Sequence, residues 1–200
     1  MTNPLIQIIP TLSSSEVDSV NQFLSNNGVA REKHTVFSGE SFRVDTSVRS
    51  SEGFTLSEEN AVTQLLGSSI NKALLEYTDR LAQVHSSYVA YTLAPGSVGT
   101  RSHREGVQIL EYTAGQEYKF HYDQNWDRRQ ETFYRTISVV LYLTSEFEGG
   151  GTEFPDAVYK PKPGEALIFP SSWCFPHRGQ PVTAGMKRVA VTWYYVYPAE

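Results

Sequence analysis

Cysteine is nearly missing from this 200-residue sequence: Cys174 stands alone and cannot close a disulfide within the chain. Stability then has to come from packing, and a reducing setting, the cytoplasm, is the expectation. The short apolar stretch over residues 5–10 lacks the basic flank and the length of a secretion signal. No run approaches the ~18 apolar residues of a membrane span, so no membrane partner is expected. Repeats, heptads and low-complexity tracts are missing too. So is a basic excess. The net charge is −5 and the pI about 5.6, which argues against a duplex nucleic acid as partner, because such a partner needs a positive face.

What the sequence has in quantity is aromatic rings: twelve tyrosines, ten phenylalanines and three tryptophans. With recurrent Val, Ile and Thr they favour strands over a helical bundle. The length and a mean hydropathy of −0.37 fit one globular domain with a substantial core. An edge strand is expected over residues 4–10. A helix follows, started by Ser13 or Ser15 with Glu16 or Asp18 three residues on, and carried by Val17, Val20, Phe23 and Leu24. Short strands are expected near 35–37 and 42–45. A second helix has Ser57 as N-cap, Glu58 and Glu59 in its first turn, and a stripe of Val62, Leu65, Leu66, Ile70, Ala73, Leu74, Tyr77 and Leu81. Residues 88–94 read as extended, and the Gly/Pro/Ser-rich stretch at 95–102 reads as a loop, either a plain connection or part of a flap over 95–105. Strands then dominate, at 107–113, 118–124, 135–143, 165–169 and 187–197. Helices first and strands last predict a mainly β fold of the α+β class, a jelly roll braced on one face by N-terminal helices.

The chemistry gathers at the end of residues 109–123, ILEYTAGQEYKFHYD. In an extended strand His121 and Asp123 point to one side, about 6 to 7 Å apart along the chain, and so can chelate a divalent metal. His177 is available as a third ligand, which would complete two histidines and a carboxylate with the opposite coordination positions open, the donor set of non-haem iron. A charged pair on a surface strand is the alternative that His-x-Asp alone leaves standing.

The wider pattern resembles the prolyl 4-hydroxylases among the 2-oxoglutarate and iron(II)-dependent dioxygenases. The residues that carry the likeness are Tyr112, Gly115-Gln116-x-Tyr118, His121-x-Asp123, Leu141-Tyr142-Leu143, Gly149-Gly150-Gly151-Thr152-Glu153-Phe154-Pro155, His177 and Lys187, with Val48-Arg49-Ser50-Ser51 as a less specific upstream match. The resemblance implies a double-stranded β-helix over residues 86–200, supported by a helical region over 1–85. It implies Fe(II) held by His121, Asp123 and His177, with 2-oxoglutarate and O2 as co-substrates and ascorbate as a further cofactor. It also implies a reaction, in which 2-oxoglutarate is decarboxylated to succinate and CO2 while an unactivated C–H bond of a peptidyl proline is hydroxylated. By the same likeness Lys187 pairs with the distal carboxylate of 2-oxoglutarate, Tyr112 helps to hold it, and Tyr118, Arg135 and Trp193 meet the substrate. A proline-containing peptide or protein is the implied partner, and a free amino acid or small metabolite is the alternative substrate. A non-catalytic jelly-roll binding module is the alternative from another class.

Alternation tests these assignments. It places Lys187 with Val189, Val191 and Trp193, and Arg188 on the other face. It places Arg135 in one row with Ile137, Val139, Leu141 and Leu143. Tyr118, three residues before His121, faces away from the site unless the strand bends near Lys119 and Phe120. Cys174 is expected to be packed or inert, and His34, His85 and His103 lack partners at ligand spacing.

Overall fold

A computed structural model describes residues 3–26, 28–33, 35–38, 41–57, 60–91, 102–124 and 134–196. Strand β1 (Gln7–Pro10) leads into helix α1 (Ser14–Asn26), which begins on a reciprocal cap. The Ser13 N–H donates to the Glu16 carboxylate at 2.8 Å, and the Glu16 N–H donates to the Ser13 hydroxyl at 3.4 Å, so donors that the first turn leaves unpaired find acceptors. Strands β2 (Glu32–Lys33), β3 (Thr35–Ser38), β4 (Ser41–Val44) and β5 (Glu52–Thr55) follow, with β3 and β4 paired as a hairpin.

Helix α2 (Ala61–Val84) buries Leu66, Ile70, Ala73, Leu74, Tyr77 and Leu81 on one face, with Val62 and Leu65 half-buried beside them. Its N-cap is Asn60 and not Ser57. The Asn60 side chain accepts the Thr63 N–H at 2.8 Å, whereas Ser57, too far upstream to reach the first turn, gives its carbonyl to the Thr63 hydroxyl at 2.6 Å. Glu58 and Glu59 lie outside the described residues. Residues 86–91 form a 3-10 turn where an extended segment was expected, because the Tyr88 N–H turns back to the His85 carbonyl at 3.0 Å. The expected flap falls outside the described residues up to 101. Its last part is strand β6 (Ser102–Arg104), paired to the C-terminal strand.

The rest is β-structure: β7 (Gln108–Thr113), β8 (Tyr118–His121), β9 (Tyr134–Tyr142), β10 (Phe147–Gly149), β11 (Thr152–Glu153), β12 (Val158–Tyr159), β13 (Glu165–Pro170), β14 (His177–Gly179) and β15 (Val182–Val196). The pairing is antiparallel. The large sheet runs β1-β13-β9-β15-β7-β5-β2 and the small one β12-β11-β14-β8, which together make the jelly roll, or double-stranded β-helix. Strands from before residue 85 thus extend the large sheet: β1 pairs with β13, and β5 with β7.

The large sheet is apolar on both faces. One face, with Ile109, Ile137, Val139, Leu141, Ala190 and Tyr194, packs on α1 and α2. The other, with Leu110, Tyr112, Tyr142, Val189, Val191 and Trp193, looks toward the small sheet. Burial on both faces is why β9 and β15 read as near-continuous apolar runs. Among the described residues no helix is long and apolar enough to cross a membrane.

Two register shifts decide what faces the small sheet. On β15 the pairing with β9 slips between Tyr194 and Tyr195, so that Ile137 and Arg135 oppose consecutive residues. Arg135 is thereby turned out of the row it was expected to share: Ile137, Val139 and Leu141 face the helices, while the Arg135 guanidinium lies over Trp193 on the other side. On the small sheet His121 pairs with His177 but Tyr118 pairs with Gly179, three residues against two. That bulge swings the Tyr118 ring onto the side of His121.

Candidate active site

The small sheet brings His121, Asp123 and His177 together. Their ligand atoms all lie within 4.8 Å of one another, and no other such group occurs among the described residues. The His121 Nε2 is 3.5 Å from one Asp123 carboxylate oxygen and the His177 Nε2 is 3.6 Å from the other. Each imidazole is tied through its other nitrogen. His121 Nδ1–H donates to the Lys119 carbonyl at 2.8 Å and His177 Nδ1–H to the Phe175 carbonyl at 3.0 Å, which leaves both Nε2 lone pairs aimed inward. The Ser138 hydroxyl on β9 donates to Asp123 at 2.6 Å and is itself met by the Ser171 hydroxyl at 2.8 Å. Burial alone would raise the Asp123 pKa, but the two imidazoles and the Ser138 hydroxyl overrule it and hold the carboxyl well below its usual range. Burial, opposed by the Asp123 charge, lowers His177 to about 4. A carboxylate that stays ionised and an imidazole that stays neutral are the states a divalent cation binds.

On β15, on the face of the large sheet that looks toward the small one, Lys187 is 3% exposed. Its ammonium donates to the Gly150 carbonyl at 2.6 Å and lies 5.3 Å from the Tyr112 ring and 4.9 Å from the Tyr142 ring. It has no carboxylate partner among the described residues. Burial, with a smaller contribution from Lys160, lowers its pKa to about 7. Gly150 has a φ of +64°, and a Cβ there would press on Phe147 and Val182 at 3.0 Å. The Tyr142 hydroxyl is hydrogen-bonded to Thr152 at 2.9 Å, so one wall of this space is already fixed.

On the third side Arg135 is held by Glu105 through two contacts of 2.6 and 2.7 Å. Its guanidinium lies 3.8 Å from the centre of the Trp193 ring and comes within 3.5 Å of the Asp123 carbonyl. Tyr118 stacks on His121 with ring centres 3.6 Å apart, and burial raises its pKa to about 12.

Residues 107–196 match the 2OG-Fe(II) oxygenase superfamily. The matched stretch is a little under half of the chain. The chain is 35% identical over 107 residues to a putative prolyl 4-hydroxylase of Acanthamoeba polyphaga mimivirus, an alignment covering 45% of this chain and 44% of that protein. It spans about half the length of the curated relatives it matches. Among solved structures, the viral collagen prolyl hydroxylase of Paramecium Bursaria Chlorella virus-1 in its 2OG complex aligns at 23% identity and TM-score 0.61, covering 96% of each chain. A prolyl hydroxylase of Trichoplax adhaerens, solved with a hypoxia inducible factor peptide, aligns at 20% identity and TM-score 0.70 over 97% of this chain and 84% of that one. At these identities the structural likeness speaks for the jelly roll.

The superfamily uses Fe(II), 2-oxoglutarate and O2, and the donor set of this chain fits the metal: two imidazoles, that of His177 kept neutral by burial, and one ionised carboxylate on one side. Of the residues singled out in the sequence, Tyr118, His121, Asp123, Arg135, His177, Lys187, Tyr112 and Trp193 all lie on the faces between the two sheets. Cys174 is not packed: it is exposed, in the turn closed by the Phe175 N–H on the Ser172 carbonyl. His103 stacks on Tyr195, His85 ends α2, and His34 is outside the described residues. Ser138, Ser171 and Glu105 were missed. Ser138 could have been found from its parity with Tyr142 on β9, but nothing local marks Glu105 as the partner of Arg135.

Proposed function

We propose that this chain is an Fe(II)- and 2-oxoglutarate-dependent dioxygenase that hydroxylates a prolyl residue of a peptide or protein. The observation that carries it is the buried ammonium of Lys187, which has no carboxylate partner among the described residues and lies against Tyr112 and Tyr142 on the sheet face that looks toward the two-histidine, one-carboxylate cluster. A cation left unpaired at such depth is costly unless a ligand supplies the anion, and the distal carboxylate of 2-oxoglutarate is one of fitting charge. Proline as the target draws on the names of the relatives, prolyl 4-hydroxylases from a virus and a plant, and on the peptide bound to the Trichoplax enzyme.

In this reading His121, Asp123 and His177 hold the iron, which when bound supplies the redox chemistry that couples decarboxylation of the oxoacid to C–H hydroxylation. The residues of the chain do the rest. Ser138 and the two backbone carbonyls keep the ligands in the orientation and protonation states the metal needs. Lys187 fixes one end of 2-oxoglutarate by charge, with Tyr112 and the Tyr142–Thr152 pair closing its pocket against water. Tyr118, Arg135 and Trp193 form the rim for substrate. Since Glu105 neutralises Arg135, that rim is aromatic and charge-balanced, suited to an extended proline-rich chain in the polyproline II conformation. Residues 1–200 form one oxygenase domain, with 1–85 as support and 86–200 as catalytic core. Ascorbate as reductant and a cytoplasmic setting complete the proposal, the latter in keeping with a single cysteine.

The test is Fe(II)-dependent succinate release across a panel of proline-containing peptides and free amino acids. A peptide that stimulates release and gains one oxygen is the expected result; stimulation by free proline alone would move the substrate to a metabolite. His177→Ala should lose iron and turnover while remaining folded.

A further inference from the structure

His121 and His177 are both tied by one hydrogen bond, but their surroundings differ. His177 is boxed by core rings, with Phe169 at 4.7 Å and Phe154 at 5.5 Å between ring centres. His121 lies on strand β8 at the edge of the small sheet, where the ring stacked on it, among the described residues, is that of Tyr118. A single Nδ1–H bond sets the tautomer but lets the ring rock about that bond, and a metal ligand has to hold its lone pair in line.

We infer that Arg49 and Tyr118 form a stacked brace that fixes the plane of the His121 ring, which makes both of them positioning residues of the metal centre. The inference rests on the metal assignment above. The Tyr118 ring lies at 17° to the His121 imidazole, with centres 3.6 Å apart. On Tyr118 in turn lies the Arg49 guanidinium, 4.9 Å from the ring centre. Arg49 is 7% exposed and its Nε donates to the Ser51 hydroxyl at 3.1 Å; it has no carboxylate partner among the described residues. A guanidinium so placed is best satisfied by the electron-rich face of the phenol. The phenol ring thus meets both the cation and the imidazole.

The brace is anchored by backbone. Ser50 N–H donates to the Glu117 carbonyl at 3.0 Å, Glu117 N–H to the Ser50 hydroxyl at 2.8 Å, and Lys119 N–H to the Val48 carbonyl at 2.8 Å, so that Arg49 stands directly opposite Tyr118. Residues 48–51 therefore act as a short extra strand on the exposed edge of β8. The bulge in the pairing of β8 with β14 brings the Tyr118 ring, already opposite Arg49, onto the side of His121.

The test is Co(II) binding, by calorimetry and by the visible spectrum of the bound ion, in the parent, His177→Ala, Tyr118→Phe, Tyr118→Leu and Arg49→Met. Tyr118→Phe keeps the ring and should bind within about twofold of the parent. Tyr118→Leu removes the ring and should weaken Co(II) binding about tenfold or more, with an altered spectrum, by the size usual for groups that orient a metal ligand. Arg49→Met should fall between them, about threefold weaker, and it carries the test if Tyr118→Leu does not fold. Parent-like Co(II) affinity and spectrum in Tyr118→Leu, with only the peptide KM raised, would overturn the brace and leave Tyr118 as a substrate contact. A loss in Tyr118→Phe as large as in Tyr118→Leu would overturn it too, since the hydroxyl and not the ring would then matter. Metal binding in the parent that does not depend on His177 would instead bring down the metal assignment, and the brace with it.

Discussion

Lys187 and Arg188 are neighbours on β15, both cationic side chains and both less than a tenth exposed, but they face opposite sides of the large sheet. On the helix side Arg188 meets a complete set of partners. Its guanidinium contacts Glu111 at 2.8 Å and donates to the Asn21 side-chain amide oxygen at 2.9 Å, and Glu111 is shared with Arg31 at 3.2 Å. On the site side Lys187 has one backbone carbonyl and two aromatic faces. A cation that serves the fold is paired within the fold. One that serves a ligand is left waiting for the ligand's charge, and the chain carries the cost of its desolvation.

The largest effect that sharpens this contrast should come from Lys187→Ala. It strips the counter-charge from a buried carboxylate of the co-substrate, at a cost of about 2 to 5 kcal/mol, so 2-oxoglutarate should bind at least about 30-fold more weakly to the metal-loaded protein. Metal binding should survive, and the ligand-free protein should melt no lower than the parent because an unpaired buried amine has been removed. Lys187→Arg should show a partial defect, as charge is kept but shape is not. Isothermal titration with 2-oxoglutarate and a thermal melt check both halves.

Arg188→Ala should do the reverse. Glu111 keeps Arg31 but loses its better-buried partner, and a loss of about 2 to 4 kcal/mol in unfolding free energy is expected from urea titration. The affinity for 2-oxoglutarate of the protein that remains folded should hardly move. A large fall in that affinity with unchanged stability would break the comparison.

A third test uses pH. The unfolded chain keeps a lysine proton up to about 10.4, while the folded ligand-free protein releases it from Lys187 near 7. Between these values the unfolded state binds more protons, so the Lys187 contribution makes the ligand-free protein more stable as pH rises from about 7 to 10.4. In the role proposed for Lys187, 2-oxoglutarate has the opposite preference, because it binds the ammonium form. Its affinity should be flat below pH 7 and fall about tenfold per unit above, with uptake of a proton on binding, detectable as calorimetric heats that depend on the buffer. Loss of both trends in Lys187→Gln would assign them to this residue.

The smallest effect should come from Lys160. It is exposed, with its ammonium 2.9 Å from the Phe147 carbonyl and 4.2 Å from that ring, and its charge opposes protonation of Lys187. Lys160→Gln should extend tight 2-oxoglutarate binding to slightly higher pH, by no more than a few-fold in affinity, since solvent screens an exposed charge.

What could be read along the chain was what depends on neighbours in sequence. The stripe on α2, the opposite faces of Lys187 and Arg188, and the shared side of His121 and Asp123 follow from periods of 3.6 and 2 that hold wherever an element is regular. The need for a bend before His121 was legible for the same reason, as a conflict between parity and role. The bend itself was not, because a bulge on β8 is set by pairing with β14 some 56 positions away and by the segment that covers its other edge. Arg135 was misplaced in its row because one slipped residue in the pairing with β15 reverses the face of all that precedes it. Its partner Glu105, the hydroxyl of Ser138 on Asp123 and the guanidinium of Arg49 on Tyr118 are likewise contacts between distant segments. Local periodicity fixes which side of a strand a residue occupies only while the strand is regular. Where register slips, and what stands across the gap, is decided by the closing of the two sheets upon each other.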